Sequence, residues 1–455
     1  MRRIFPLIFI LFVTISHSQN KQILYGFAEL PQTLLLNPGA ETNYRFHVGI
    51  PLLSGFSSEF GSSGFSISDL FLNDGVNFND KVESVLDKLD SKDHLKFNMQ
   101  LELFSGGYRY NDRYYFSFGI YEEIDMISYF PKDASIFLTE GNSAYLDRQF
   151  SINDLMFKAD VLSVLHFGVT KKIDKQLTIG GRFKIYSSTI NSESSNNTGT
   201  LTTVNGTNNI YTHYLSNLNV NIKSSGLKEN DDTINDPVTY LKNTLTGSNL
   251  GVGFDFGFTY HQSEQLEFTG SIVDLGFIKH RSNINNYYAY GNYTLEGIEF
   301  LYPNQTIDYW HNLEEDFEEK VPNDEDQNSY ISWRPTKLNG SLKYSFGKRR
   351  SKYCYDYTFK DFYSNAIGVQ LNAVFRPLRP QLALTGFYEK SFSNKLHTKF
   401  TYTIDEYSFY NIGAGISAQI GKVNFYGMVD NIANFNDIAS SNNISLQLGF
   451  NLIFN

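Results

Sequence analysis

The side chains of this sequence most able to do chemistry are its carboxylates. Glu314-Glu315-Asp316-Phe317-Glu318-Glu319 is followed closely by Asp324-Glu325-Asp326, and carboxylates crowded in this way repel one another until a hard cation lies between them. The spacing does not make an EF-hand: Ser329 stands where the turn glycine belongs and Pro335 where a bidentate Glu is needed. A solvated loop is the expectation. Asp274 is the sharper candidate, a lone carboxylate in Ser271-Ile272-Val273-Asp274-Leu275-Gly276-Phe277 that in a strand faces a lumen or caps a turn. Asp430-Asn431, after Val423, Phe425 and Gly427, is of the same kind. His47, His94, His166, His213, His261, His280, His311 and His397 are scattered without metal-ligand spacing. There is no Gly-x-Ser-x-Gly elbow, phosphate-binding loop or paired Cys motif. No metal, cofactor or catalytic residue is therefore expected, and an enzyme at a barrel rim is the least expected class.

The elements that must position these residues follow a period of two. In Leu250, Val252, Phe254, Phe256, Phe258 and Tyr260 every second residue is apolar, with Gly251, Gly253, Asp255, Gly257 and Thr259 between them. Such a strand is greasy on one face and wet on the other. The alternation returns in Leu177 to Ile185, in Ile367 to Phe375, in Ile412 to Ile420 and in Ile444 to Phe454. Residues 1–18 read as a signal peptide cleaved near Ser18/Gln19: Met1-Arg2-Arg3, an apolar stretch from Ile4 to Ile15, then Ser16-His17-Ser18-Gln19. The apolar stretch is shorter than the ~20 residues of a spanning helix. Export and two-faced strands together predict an all-β fold, a transmembrane antiparallel β-barrel of about fourteen strands in the outer membrane of a Gram-negative bacterium. A soluble β-sandwich is the main alternative, and it explains the regular final strand less well.

Composition agrees with a barrel. Mean hydropathy is −0.31, as expected when half of every strand is polar. Phe 39 and Tyr 31 against Trp 2 suit interfacial girdles. A net charge of −10 offers no basic patch for nucleic acid. Cys354 is the sole cysteine, so no intramolecular disulfide holds the chain.

Residues 19–455 read as one barrel domain. Tight turns are expected at Lys171 to Lys175, His261 to Gln265, Arg376 to Pro380 and Ile420 to Lys422. Long polar insertions at about 191–248 and 279–335 are assigned to the cell exterior. The first part, about 19–93, departs from the alternation. Leu34-Leu35-Leu36-Asn37-Pro38-Gly39 is an apolar run stopped by a turn and reads as a plug or entry segment, not a strand. Phe78, Val82, Val85, Leu86 and Leu89 fall at helical spacing, which predicts a short amphipathic helix.

Leu36-Asn37-Pro38-Gly39, Gly49-Ile50-Pro51, Gly64-Phe65-Ser66-Ile67-Ser68-Asp69-Leu70 and Ser271 to Ile278 resemble an uncharacterised family of Bacteroidota outer-membrane β-barrels over nearly all of the mature chain. The Asn37-Pro38 turn is similar, more distantly, to that of the long-chain fatty-acid transporter superfamily, with Gly39 where Ala is usual. That resemblance implies an N-terminal hatch, with Asn37, Pro38 and Gly39 as hatch residues. Type IX secretion accessory barrels share the general architecture. Phe454 resembles the terminal aromatic of an assembly signal, although Asn455 is last. The implied function is a passive channel or binder for hydrophobic or amphiphilic solutes, with an apolar pocket inside the barrel. The alternative is an accessory barrel holding a secretion or surface-protein partner through its long loops, with a filled lumen and an aromatic surface around Tyr287, Tyr288, Tyr293 and Tyr302. Expected partners are membrane lipid, lipopolysaccharide and the barrel assembly machinery.

Overall fold

The computed structural model describes residues 21–27, 30–194, 196–207, 210–229, 232–233, 247–296, 323–348, 363–432 and 440–454. Residues 1–18, expected to be a signal peptide, together with Tyr302, Glu314 to Glu319, Cys354 and parts of both long insertions, lie outside the described residues. Fourteen antiparallel strands form the wall. They are β1 (Phe46–Gly49 and Phe56–Ser62), β2 (His94–Arg109), β3 (Tyr114–Tyr129), β4 (Phe157–Lys172), β5 (Leu177–Ser194), β6 (Leu250–His261), β7 (Leu266–His280), β8 (Tyr330–Trp333 and Lys337–Lys348), β9 (Tyr363–Phe375), β10 (Pro380–Ser393), β11 (Leu396–Ile404), β12 (Asn411–Ile420), β13 (Val423–Asp430) and β14 (Asn443–Phe454). Each pairs with its neighbours in sequence, and β1 also pairs with β14, Phe46 opposite Phe454 and Glu59 opposite Ser445. The sheet thus closes and its backbone groups are satisfied without an edge.

Alternation sorts the side chains as the sequence implies. In β6, Phe254, Phe256 and Phe258 are exposed on the outer face while Asp255, Thr259 and His261 are buried within. The short connections 110–113, 173–176, 262–265 and 421–422 gather at one end. The long ones, 63–93, 130–156, 195–249 and 281–329, gather at the other. The tight Arg376 to Pro380 turn lies at the long-connection end, apart from the other tight turns. Strand direction, not turn length, decides the end. Beyond the rim, residues 191–194 of β5 pair with 222–225, and a further sheet grows from there through Thr198–Asn205, Ile284–Leu295 and Asn323–Asp326. The helices α1 (Ile67–Phe71), α2 (Phe78–Lys88) and α3 (Lys132–Thr139) sit at the same end. Val85, Leu86, Leu89, Ile136 and Phe150 make a small cluster among them. Ser66 caps α1 in a capping box with Asp69. No helix among the described residues is long and apolar enough to cross a membrane.

Among the irregularities of the ladder, two shape the lumen. In β1, residues 50–55 bulge out between Gly49, paired with Asn451, and Phe56, paired with Leu448, leaving Leu52 and Leu53 exposed on the outer surface. In β7, Phe254 faces Leu275 but Phe256 faces Ile272. One residue, Asp255, therefore stands against two, Val273 and Asp274, and both turn inward. Asp274 takes a φ of 61°. On the other side of β7, Pro335 has no N–H for the ladder, and pairing with β8 stops between Val273 and Phe277.

Candidate functional site in the barrel lumen

The described N-terminal residues up to 44 run inside the barrel. This stretch is shorter than the 19–93 expected from sequence, because Phe46–Ser62 is the first wall strand. Pro31–Leu35 forms one 3-10 turn, and Ile23, Leu24, Phe27 and Leu30 pack on Tyr426 and Met428. The Asn37-Pro38-Gly39 turn is fastened carbonyl by carbonyl. Ser271 Oγ donates to Leu36 O at 2.6 Å, Thr170 Oγ1 to Pro38 O at 2.7 Å and Thr259 Oγ1 to Gly39 O at 2.9 Å. Asn37 Nδ2 donates to Phe258 O at 3.1 Å, and its Oδ1 accepts from Gly39 N at 2.9 Å. The turn comes this close because the wall beneath it has no side chains: a Cβ on Gly180 would lie 1.9 Å from Pro38 O, and one on Gly257 2.0 Å from Asn37 Oδ1. Glu41 is held beside it by Thr178 and His261.

A second fastening ties the segment to the β1 insertion. Gln32 Nε2 donates to Ser54 O at 3.0 Å, Glu102 Oε1 at 3.1 Å and Asn451 Oδ1 at 3.0 Å, and its Oε1 accepts from Asn451 Nδ2 at 3.0 Å. Tyr426 O–H also donates to Ser54 O at 3.1 Å. Gln32→Leu leaves several buried polar groups without this partner, a cost of about 1–3 kcal/mol. Faster hydrogen exchange at the amides of residues 50–55, with the rest of the wall unchanged, is the expected reading. Unchanged exchange there would refute the coupling.

Asp274 belongs to a belt of buried charges higher in the lumen. Its carboxylate takes Lys184 at 2.6 Å, Lys337 at 2.8 Å and Tyr186 O–H at 3.2 Å. Asp255 takes Lys184 at 2.9 Å and Arg182 at 3.4 Å, and also accepts the Asp274 N–H at 2.8 Å. Arg334 bridges Glu123 at 2.9 Å and Asp160 at 3.2 Å, while Arg376 grips Asp125 with both terminal nitrogens. Five carboxylates thus meet five cations, so buried charge is neutralised locally. Asn37, Pro38 and Gly39 do not share this cluster. The two regions are joined by the wall strands β5, β6 and β7, which carry Thr178, Thr259 and Ser271 to the segment and Lys184, Asp255 and Asp274 to the belt. Asp430, accepting from Ser445 Oγ at 2.6 Å, serves a turn with Asn431, whose φ is 55°. Among the described residues no group of His, Cys, Asp or Glu is placed to hold a metal.

Two cavities adjoin above the segment. The larger, about 80 Å³, is lined by charged and amide side chains, among them Lys21, Glu59, Lys96, Lys337, Arg376, Asn98, Asn339, Asn372, Gln381 and Asp405, with Leu36, Val273 and Val374 between them. The vestibule is therefore not the apolar pocket expected from sequence. Apolar lining is concentrated in the smaller gap of about 20 Å³, where Leu24, Leu35, Leu36, Phe56 and Tyr426 meet against the β1 insertion at Gly55. Lys21 and Leu36 line both. At the long-connection rim, burial pushes the carboxyls of Asp405 and Glu406 above their usual range. Another cavity of about 60 Å³ opens at the short-turn end between Glu267, Lys343, Glu389 and His397.

A closed fourteen-strand antiparallel β-barrel with a polar lumen occupied by its own N-terminal segment is the class this geometry defines. Residues 38–430 match the family of unknown function DUF5723, and the chain belongs to that family. No curated protein matches the sequence. Among solved structures, the chain is similar to the Ralstonia pickettii toluene transporter TbuX, at 11% identity over 97% of this chain and 100% of that one, with a TM-score of 0.43. A Pseudomonas aeruginosa FadL homologue aligns at 9% identity over 94% of each chain with a TM-score of 0.42. The P. putida toluene transporter TodX aligns at 9% identity over 96% of each chain with a TM-score of 0.40.

Proposed function

We propose that this chain spans the outer membrane of a Gram-negative bacterium and is a gated passive channel or binder for amphiphilic solutes. A closed barrel is the β-structure that leaves no backbone group unpaired in hydrocarbon, and its outward faces carry exposed Phe, Leu, Ile and Val. The long-connection end then faces outward and the short turns face the periplasm. The adjoining cavities carry the reading. A vestibule ringed by charged and amide groups adjoins a smaller, mainly apolar gap that ends at the β1 insertion, and both share Lys21 and Leu36. A solute with a polar head and an apolar tail matches that sequence of linings; a purely apolar one does not. It would leave sideways past Leu52 and Leu53, or downward when residues 36–41 lift off the wall.

An accessory barrel is the second reading. It is favoured by the occupied lumen and by the distal sheet, where Tyr290 is exposed on Ile284–Leu295 beside the half-buried Tyr287 and Tyr288, while Tyr293, expected on the same surface, is buried. Purification from outer membranes in mild detergent, followed by mass spectrometry of what co-purifies, separates the two. The channel or binder reading expects an amphiphile at one per chain. A stably bound protein with no amphiphile would overturn it in favour of the accessory role.

A further inference from the structure

The charges lining the vestibule are mostly matched to one another. Lys96 pairs with Glu59, Lys337 with Asp274 at 2.8 Å and Arg376 with Asp125. Two are not. Lys21 Nζ donates to the amide oxygen of Gln100 and forms no ion pair among the described residues. Asp405 Oδ1 accepts the N–H groups of Tyr407 and Ser408 at 2.9 Å each, while its buried Oδ2 accepts no hydrogen bond. Unmatched buried charge is costly unless something supplies its counter-charge.

The two groups occupy different levels. Lys21 sits where the vestibule meets the apolar gap, and Asp405 lines the vestibule alone, on the connection that follows β11 at the long-connection end. Gln100, the partner of Lys21, lies four residues further along β2 than Lys96, which lines the vestibule with Asp405. The neutral amides Asn98, Asn339, Asn372 and Gln381 line the same cavity.

Resting on the reading of this lumen as an amphiphile channel or binder, we infer that its ligand carries a zwitterionic head, with the anionic group next to the tail and an ammonium at the far end. The tail enters the gap at Leu24, Leu35 and Tyr426, the anion meets Lys21 and the ammonium meets Asp405. A simple fatty acid satisfies Lys21 and leaves Asp405 unmatched; a simple alkylamine does the reverse.

The test titrates the purified full chain with 1-hexanoyl-lysophosphatidylethanolamine, its N-acetylated derivative and hexanoate, using calorimetry or native mass spectrometry. Lys21→Gln and Asp405→Asn are the variants; the Asn keeps the oxygen that accepts the two turn N–H groups. Saturable binding of the zwitterion, weakened at least about tenfold by either substitution and by acetylation, is expected, because each change removes one charge-assisted contact. The acetylated probe should no longer respond to Asp405→Asn. Equal affinity for all three probes, or for wild type and both variants, would overturn the head-group assignment while leaving the amphiphile reading standing. Saturable binding of none of them would overturn both.

Discussion

Gly180→Ala is expected to unseat the N-terminal segment without unfolding the barrel. The added Cβ would lie 1.9 Å from Pro38 O, 2.1 Å from Pro38 C and 2.6 Å from Gly39 N. All three are backbone atoms, so no rotamer change relieves the clash. The wall cannot yield, because Gly180 is laddered to Thr170 on β4 and to Gly257 on β6. The segment must lift instead, giving up the bonds to Pro38 O, Gly39 O and Phe258 O. At ~1 kcal/mol each the loss is about 3 kcal/mol, roughly a hundredfold in the population of the lifted state. Hydrogen exchange at residues 36–41 should rise accordingly, and single-channel recordings in planar bilayers should show longer and more frequent openings. Gly386→Ala is the matched control: a wall glycine in β10 whose Cβ meets nothing within 4 Å. If the two variants conduct and exchange alike, the turn is not what closes the lumen.

The sequence announces that turn but not its seat. Pro38 and Gly39 mark a chain reversal wherever they stand, and the apolar run before them says that the segment is buried. Gly180 and Gly257 look in sequence only like small residues on the wet face of a strand. Their role exists once β5 and β6 are in register beneath residue 38. Asp274 shows the same limit. A carboxylate inside a strand can be read as facing a lumen, but its cations lie 90 and 63 residues away on β5 and β8, and only strand order brings them together. Periodicity was legible because it is local, as in Leu250 to Tyr260. The departures from it were legible as places without being legible as geometry. Gly49-Ile50-Pro51 opens the β1 insertion and Ser271 to Ile278 contains the β7 bulge, two of the stretches that carry the family resemblance. Bulges re-aim side chains, and here one aims Asp274 into the belt and the other presents Ser54 to Gln32. The wall begins earlier than the 19–93 expectation allows for a related reason: a strand broken at residues 50–55 is too short on either side to show its alternation.

The belt itself predicts the largest loss of stability. Asp274→Asn keeps the side chain's size and one acceptor but removes the charge that faces both Lys184 and Lys337. Lys184 retains Asp255 at 2.9 Å, whereas Lys337 is left with Glu123 at 3.8 Å. Breaking a buried pair from one side costs about 3–5 kcal/mol, because the remaining ion stays desolvated without its partner. The expected outcome is a drop of that size in the unfolding free energy, measured by denaturant titration of the barrel in lipid vesicles. Removing the orphaned cation as well, in Asp274→Asn with Lys337→Met, should recover more than half of it, since a neutral apolar side chain no longer needs a counter-charge at that site. A double variant as unstable as the sum of the two single changes would mean that Asp274 matters for the shape of the β7 bulge and not for charge. The positive φ of 61° at this residue provides the second check. Asn tolerates that backbone conformation as well as Asp does, so Asp274→Asn adds no backbone strain, and Asp274→Ala should lose more by adding it.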